Sequence, residues 1–224
     1  MVQAVKQITR PKSLFEMAAE YIRRAITKGH LKLGQPISEG ALASSLGISK
    51  TPVREALAKL KMEGLVHVFP QRGTFVFTLT EKEVIDICEH RYTLESTALT
   101  FSFDRNREPF IAAEKETVDG MRSARIENDE DQYLKLDTGF HILFFKFCGN
   151  QYLDDAYRLI AARVAAMRTH LSLVPDHTTK SFKEHIDMLQ CISDNDVAKA
   201  LKILDEHITR TKNSAAKHFP KYNV

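Results

Sequence analysis

The sequence predicts a mainly α-helical protein in two parts: three helices with a β-hairpin over residues 1–79, and an all-α helical bundle over residues 80–224. Short apolar runs separated by turn residues, which are typical of strands, occur only before residue 79. After residue 79, apolar residues recur at helical spacing only. The charge changes at the same place: residues 1–79 carry 12 Lys and Arg against 5 Asp and Glu, whereas the remainder carries 20 against 24. A basic front part indicates an anion-binding module.

Residues typical of helix ends predict the first two helices. Residues 1–12 are basic and are expected to form a loose arm. Ser13 and Glu16 then form a capping-box pattern that opens a helix, and Gly29 and Gly34-Gln35-Pro36 end it. A second, short helix is expected from about Glu39 to Leu46. A helix of about this size, followed by a tight turn and another helix, is the beginning of a DNA-binding motif.

A glycine turn leads into the third helix, which is expected to end near Glu63. Gly47 tolerates the left-handed conformation of a tight turn. Ser49 is a suitable N-cap, and Pro52 lies in the first turn, where a helix does not need its missing N–H. The residues expected to be buried recur at about one helical turn, and they are Val53, Leu57 and Leu60.

The opposite face of this third helix is cationic and rich in hydroxyl groups. Lys50 and Arg54 carry donors that suit guanine acceptors or phosphates, and Ser49 and Thr51 suit phosphates. Glu55 is expected to orient Arg54 by an ion pair within the helix face. For isolated residues a solvated surface would explain the same pattern equally well. Here the turn, the proline, the hairpin and the basic charge all favour a recognition helix.

Two short apolar runs follow, Leu65–Phe69 and Thr74–Phe77, around a turn of Pro70-Gln71-Arg72-Gly73. They predict a β-hairpin with a basic tip. Three helices followed by a hairpin form a winged helix-turn-helix, in which the hairpin is the wing. Gln71, Arg72 and Gly73 are therefore expected to lie against DNA, with Arg72 at a phosphate or over the minor groove.

The bundle begins at the capping box of Thr80 and Glu83. Breaks at glycine, proline, asparagine and aspartate residues predict six or seven helices, about 81–103, 109–126, 130–148, 151–173, 179–193 and 196–217. Their amphipathic faces need a common core. Three widely spaced cysteines without a Cys-x-x-Cys pattern, no signal peptide and no long apolar run predict a cytoplasmic protein without membrane contact.

Four residues of the bundle form a candidate metal site. Asp137 and His141 are four residues apart and share a helix face, and His185 and His207 lie on two later helices. One carboxylate and three imidazoles suit Zn²⁺, and also Ni²⁺, Fe²⁺ or Mn²⁺. The spacing alone is weak support, because nine histidines in 224 residues make chance pairs common.

The N-terminal motifs resemble those of the GntR family of bacterial transcriptional regulators. The resemblance covers about residues 12–78 and rests on three stretches: Ser49–Leu57, Glu63–Val66 and Gln71–Val76. Lys50 stands where family members more often have arginine, and Gly40 stands where some have an arginine that touches DNA. Lysine keeps the charge but loses the bidentate fork.

The C-terminal part resembles the FadR-type ligand-binding domain, called FCD, over about residues 80–217. Arg91-x-x-x-Glu95, Asp137-x-x-x-His141, Gly149-Asn150, Glu184-His185 and His207 carry the resemblance. It implies that Asp137 and the three histidines bind an ion inside the bundle. It also implies a small carboxylate effector, to which Arg91, Glu95 and Asn150 are assigned. The alternative for Arg91 and Glu95 is a surface ion pair.

Together these features predict a homodimeric bacterial regulator, a repressor, that binds double-stranded DNA at a pseudo-palindrome and is controlled by the effector. Two alternatives remain from the sequence. In the first, the protein is still a regulator, but the metal ion is itself the signal or a fixed scaffold. In the second, the protein is a metal-dependent hydrolase. No His-Glu-x-x-His pattern occurs, and Glu184 would point about 100° away from His185 on a helix. The sequence therefore favours a protein that is not an enzyme.

Overall fold

A computed structural model describes residues 12–220. Its N-terminal part contains helices α1 (Leu14–Thr27), α2 (Glu39–Leu46) and α3 (Lys50–Met62) and strands β1 (Pro36–Ile37), β2 (Val66–Phe69) and β3 (Gly73–Val76). The capping box predicted for Ser13 and Glu16 is present and starts α1. The expected basic arm falls on residues 1–12 and, apart from Lys12, lies outside the described residues.

The sheet has three strands in the order β1-β3-β2, and both pairs are antiparallel. The hairpin of β2 and β3 was predicted, but β1 was not. Two residues are too few to show a periodicity, and β1 is a strand only because Pro36 and Ile37 pair with Phe75 and Thr74. This third strand ties the segment between α1 and α2 to the wing.

The bundle consists of α4 (Glu81–Glu127), α5 (Glu130–Phe147), α6 (Gln151–Leu171), α7 (His177–Ser193) and α8 (Val197–His218). The predicted break between 103 and 109 is a kink within α4 rather than a loop. Asn106 leaves the helical conformation there, at φ −140° and ψ 38°, three residues before Pro109. The missing N–H and the ring of proline explain a kink at this place.

Two hydrophobic cores form, one for each part, and α6 contributes to both. The bundle core includes Phe110, Phe140 and Phe144. The N-terminal core includes Ile22, Val53 and Leu60, and it also takes in Ala166 of α6. Thr169, one turn further along α6, donates its hydroxyl to the Thr27 carbonyl oxygen at 2.6 Å. Helix α6 therefore packs against the N-terminal part as well as within the bundle.

Within the described part of the chain, no helix is long and apolar enough to cross a membrane.

Candidate functional site

The start of α3 has the conformation that the sequence predicts. Gly47 adopts φ +65°, and Ser49 occupies the N-cap position with extended backbone. The Ser49 hydroxyl makes no capping hydrogen bond in the structure, so it is left available. Lys50, Thr51 and Arg54 are exposed, whereas Val53 and Leu57 are buried. The cationic face therefore points to solvent from a helix that is anchored by its apolar face.

Arg54 has a different partner from the one expected. Its Nε and one terminal nitrogen donate to Oε2 of Glu39 on α2 at 3.1 and 3.0 Å. The expected pair with Glu55 is wrong, because adjacent residues on a helix point about 100° apart. Arg54 is thus held from the neighbouring helix of the motif.

Lys50 lies next to Gly40, which has no side chain. A Cβ built on Gly40 would be 3.6 Å from Cε of Lys50 and 3.9 Å from its Nζ. The two positions at which this sequence departs from commoner family residues are therefore neighbours in space. A Cβ at position 40 would make an ordinary van der Waals contact with Lys50.

The wing tip is exposed over Gln71, Arg72 and Gly73. Gln71 and Gly73 both adopt positive φ, at 64° and 103°. The Arg72 N–H donates to the Phe69 carbonyl oxygen at 3.1 Å, which closes the turn. The turn places the Arg72 side chain at the exposed tip of the wing.

Three histidines meet inside the bundle, each from a different helix. Ligand atoms of His141 (α5), His185 (α7) and His207 (α8) all lie within 4.8 Å of one another, and the three side chains are buried. The Nε2 atoms of His141 and His185 are 3.2 Å apart. Two nitrogens bound to one tetrahedral zinc ion lie about 3.3 Å apart. The spacing of these imidazoles therefore fits a common metal ion.

Carboxylates fix the orientation of two of the three rings. Nδ1 of His141 lies 2.9 Å from Glu95, and Nδ1 of His207 lies 2.7 Å from Glu184. Arg210 holds Glu184 in turn through both carboxylate oxygens, at 2.7 and 2.6 Å. A carboxylate that accepts from Nδ1 leaves Nε2 as the basic nitrogen, which is the usual arrangement behind a metal ligand.

Burial keeps the three imidazoles neutral. It lowers the pKa of His185 to about 3 and lowers the pKa of His141 and His207 well below the usual value, with the nearby Arg168 and Arg91 charges acting in the same direction. Only neutral imidazole has a lone pair for a metal ion. These rings therefore offer the ligand form at neutral pH.

Asp137 lies beside the triad but is also engaged with an arginine. Its Oδ1 is 3.7 Å from Nδ1 of His185, and its Oδ2 is 3.2 Å from Nε of Arg168 on α6. Burial raises the pKa of Asp137, and the Arg168 charge opposes that rise. The three histidines thus converge on one point, whereas Asp137 lies beside His185 and is not part of the group. Its assignment as the fourth ligand remains a prediction.

Arg91 and Glu95 are inside the bundle, with side chains 2% and 0% exposed, so the surface ion-pair alternative is wrong. Nε of Arg91 donates to Glu95 at 2.6 Å. A terminal nitrogen of Arg91 lies 3.2 Å from Nε2 of His141. The pair therefore belongs to the histidine cluster itself.

Arg168 is the residue that the sequence reading missed. Its side chain is 7% exposed, and it lies 3.2 Å from Asp137 and 3.8 Å from Glu95. Within residues 12–220, none of its three guanidinium nitrogens has a partner in hydrogen-bond geometry. Its position four residues after Val164 and three before Leu171 puts it on the apolar stripe of α6, which was the available signal.

Asn150 lies at the start of α6. Its side-chain oxygen accepts from the Tyr152 and Leu153 N–H groups, so it caps α6. It follows α5 nine residues after His141, on the side where Arg105 binds the Cys148 carbonyl oxygen. The described contacts of Asn150 are those of a helix cap, and its assignment to an effector remains a prediction.

Two family models match the chain. The model described as "Bacterial regulatory proteins, gntR family" matches residues 14–76, and the FCD domain matches residues 86–210, more than half of the chain. The chain belongs to the GntR family of bacterial transcriptional regulators and carries an FCD effector domain. The family and the relatives are regulators and not enzymes, so the hydrolase alternative is wrong.

Similar proteins agree with this assignment. An uncharacterized HTH-type transcriptional regulator of Bacillus subtilis is 25% identical over 80% of each chain. The Nta operon transcriptional regulator of Aminobacter aminovorans is 31% identical over 62% of this chain and 66% of the relative. Among solved structures, a transcriptional regulator GntR from Rhodococcus sp. RHA1 shares the fold with a TM-score of 0.78 at 17% identity, covering 91% of this chain and 98% of the other.

Proposed function

We propose that this GntR regulator is a homodimeric repressor whose hold on a pseudo-palindromic operator is released by a small carboxylate, bound at a metal ion in the bundle. The observation that carries this proposal is the buried histidine triad, with two carboxylates behind its rings and an unsatisfied guanidinium beside it. Asp137 balances the charge of Arg168, but a buried guanidinium without aligned hydrogen bonds is costly, and a bound carboxylate would supply them.

The triad of His141, His185 and His207 would hold the ion, with Asp137 as the fourth ligand. When bound, the ion would supply a positive charge with an open coordination position for a carboxylate oxygen. Glu95 and Glu184 would keep the rings of His141 and His207 oriented, as they do in the structure. The donor set is mostly nitrogen, which suits zinc, nickel or iron better than magnesium or calcium.

The charges of the cluster favour an anionic effector. Arg91 and Arg168 are balanced by Glu95 and Asp137 within ion-pair distance, and the histidines are neutral. A divalent cation would leave two positive charges uncompensated in a buried site. A small carboxylate, received by the ion on one side and by the planar fork of Arg168 on the other, would offset them.

Effector entry would require a change in the bundle. The crevice lined by Asp137, Arg168 and His207 has a volume of about 10 Å³, which is close to the space of one water molecule. An effector therefore has to prefer a more open arrangement, and its leverage on DNA binding is the difference between its affinities for the two arrangements. Such a shift between two arrangements of the bundle would couple effector binding to DNA binding without contact between the effector and the DNA.

The DNA side of the proposal uses the exposed residues of α3 and the wing. Arg54 and Lys50 would reach base edges or phosphates, Ser49 and Thr51 would contact phosphates, and Gln71, Arg72 and Gly73 would lie along the backbone or minor groove. Repression is supported by relatives: the repressor RspR of Escherichia coli and the gluconate operon repressor of Bacillus subtilis are 24% and 25% identical.

Metal content and DNA binding, measured on the same preparations, test the proposal. His185→Ala removes a ligand and should weaken Zn²⁺ binding by more than the roughly 10–100-fold expected when only a residue behind a ligand is changed. His90→Ala is the control, since His90 is exposed on α4 next to Arg91. Unchanged Zn²⁺ affinity in His185→Ala would refute the site. Failure of the wild type to select any sequence from random duplex DNA would refute the operator function.

A metal-signal function is the second candidate, because the triad is complete without an effector. Titration of Zn²⁺ alone against the protein–DNA complex separates the two. If Zn²⁺ alone changes DNA affinity, the ion is the signal. If Zn²⁺ has no effect until a screened carboxylate is added, the ion serves to hold the effector.

A further inference from the structure

The guanidinium of Arg54 is hydrogen-bonded to Glu39 along one edge. Oε2 of Glu39 receives both Nε–H and one N–H of a terminal nitrogen, at 3.1 and 3.0 Å. A guanidinium has five N–H donors in a rigid plane. Glu39 occupies the two on the side edge. Of the remaining three, two point in parallel from the outer end of the guanidinium, and the third is on the opposite side.

Glu39 is better anchored than Arg54. It is the first residue of α2, whose N-cap Ser38 accepts the Ala41 N–H at 3.2 Å, and a carboxylate is stabilised at a helix N-terminus. The side chain of Glu39 is 31% exposed, whereas that of Arg54 is 70% exposed. The carboxylate is therefore a fixed support, and the guanidinium is the part that extends into solvent.

We propose that Glu39 is a specificity-determining residue: it orients Arg54 so that the outer end of the guanidinium reads a guanine in the major groove. The inference rests on the proposed placement of α3 on DNA. The outer edge left by Glu39 presents two parallel N–H groups, which match O6 and N7 of guanine. A freely rotating arginine would reach a phosphate as readily as a base.

The surroundings assign this role to one arginine. Arg54 is the only arginine between residues 38 and 62, Gly40 has no side chain, and Lys50 carries a point charge without a planar fork. Direct bidentate reading from the helix-turn-helix therefore falls on Arg54 alone. Its orientation then decides how sharply the protein distinguishes guanine at that position.

The charge of Glu39 makes the proposal distinguishable from a general electrostatic effect. A carboxylate on the DNA face weakens attraction to every phosphate, whatever the base sequence. Removing it should raise affinity for unrelated DNA and at the same time reduce discrimination at one base pair. A surface ion pair without a role would produce only the first change.

Selection from a random 30-base-pair duplex library tests the proposal with wild type, Glu39→Ala and Glu55→Ala. Glu55 is exposed on the same helix as Arg54, so its variant removes an equal charge without freeing Arg54. Wild type and Glu55→Ala should both enrich a guanine that Glu39→Ala enriches about tenfold less, with the other positions unchanged. Glu39→Met, which keeps most of the side-chain volume and has no oxygen acceptor, repeats the test if Glu39→Ala is unstable.

The duplex selected by the wild type then identifies the contact. Replacing the enriched guanine by 7-deazaguanine removes the N7 acceptor. It should weaken wild-type binding about tenfold and have little effect on Arg54→Ala or Glu39→Ala. An equal base preference in Glu39→Ala and wild type would overturn the inference while leaving the operator function intact. Absence of any selected sequence would instead overturn the operator function.

Discussion

The molecule contains two Arg–Glu pairs, in each of which Nε and a terminal nitrogen of the arginine donate to one carboxylate, and the two pairs have opposite surroundings. Arg54 and Glu39 meet on the surface of the helix-turn-helix, 70% and 31% exposed. Arg91 and Glu95 meet inside the bundle, 2% and 0% exposed. An exposed pair contributes about 0–1 kcal/mol to stability and its members can exchange partners. A buried pair has lost its water, so each member depends on the other.

The largest expected difference is in folding stability. Glu95→Ala removes the acceptor of both Arg91 and His141 and leaves an uncompensated buried guanidinium. We expect the free energy of unfolding to fall by about 3–5 kcal/mol, measured by urea denaturation. Glu39→Ala, the matched change in the exposed pair, should lower it by less than about 1 kcal/mol. Equal losses in the two variants would show that burial does not distinguish the pairs.

The next effect concerns metal affinity. Glu184 accepts from Nδ1 of His207 at 2.7 Å and is held by Arg210, whereas Glu206 is exposed although it precedes His207 in the sequence. Glu184→Gln should weaken Zn²⁺ binding by about 10–100-fold, as other changes behind a ligand do. Glu206→Gln is the control and should bind as the wild type does. Isothermal titration with Zn²⁺ decides between them, and equal affinities would remove Glu184 from the site.

A smaller effect is expected on the DNA side. Lys50 carries a single exposed charge near the start of α3, beside Gly40. Lys50→Ala should weaken binding to all sequences by a similar factor and reduce the slope of log K against log salt by about 1. Fluorescence anisotropy over a salt series measures this. A loss confined to one sequence would show that Lys50 reads a base rather than a phosphate.

The two regions also differ in how far their structure follows from local sequence. The helix-turn-helix is local: Gly47, Ser49, Pro52 and the Val53–Leu60 stripe lie within 14 residues, and the structure agrees with their predicted conformations. The wing was predicted from its turn for the same reason. Strand β1 was missed because it depends on pairing with β3, about 38 residues later in the chain.

The bundle site could be predicted only in part. The histidines were found from residue type and family resemblance, and they do converge. Arg168 was missed, although its place on the apolar stripe of α6 was visible, because a long arginine on such a stripe usually reaches solvent. Asn150 was assigned to the effector because it follows a motif, yet its side chain is used by the nearest helix end. Partners from distant elements, such as Glu39 for Arg54, have no signal in local spacing.

The smallest expected effect lies at the join between the two regions. Helix α6 presents Arg168 to the histidine cluster, and the next residue, Thr169, donates to the Thr27 carbonyl oxygen at the end of α1. Thr169→Val keeps the methyl group that faces Gly29 and loses only the hydroxyl. We expect a loss of about 1 kcal/mol in unfolding free energy, typical of one hydrogen bond.

Thr169→Val also tests whether α6 couples the histidine cluster to the DNA-binding part. Metal affinity should be unchanged in Thr169→Val, because the hydroxyl lies on the face of α6 directed at α1 and away from Arg168. If α6 couples the sites, the change in DNA affinity produced by Zn²⁺ or a screened carboxylate should become smaller, since a looser contact carries less of the differential free energy. An unchanged response, with the stability loss confirmed, would place the coupling in another element, such as the connection from β3 into α4.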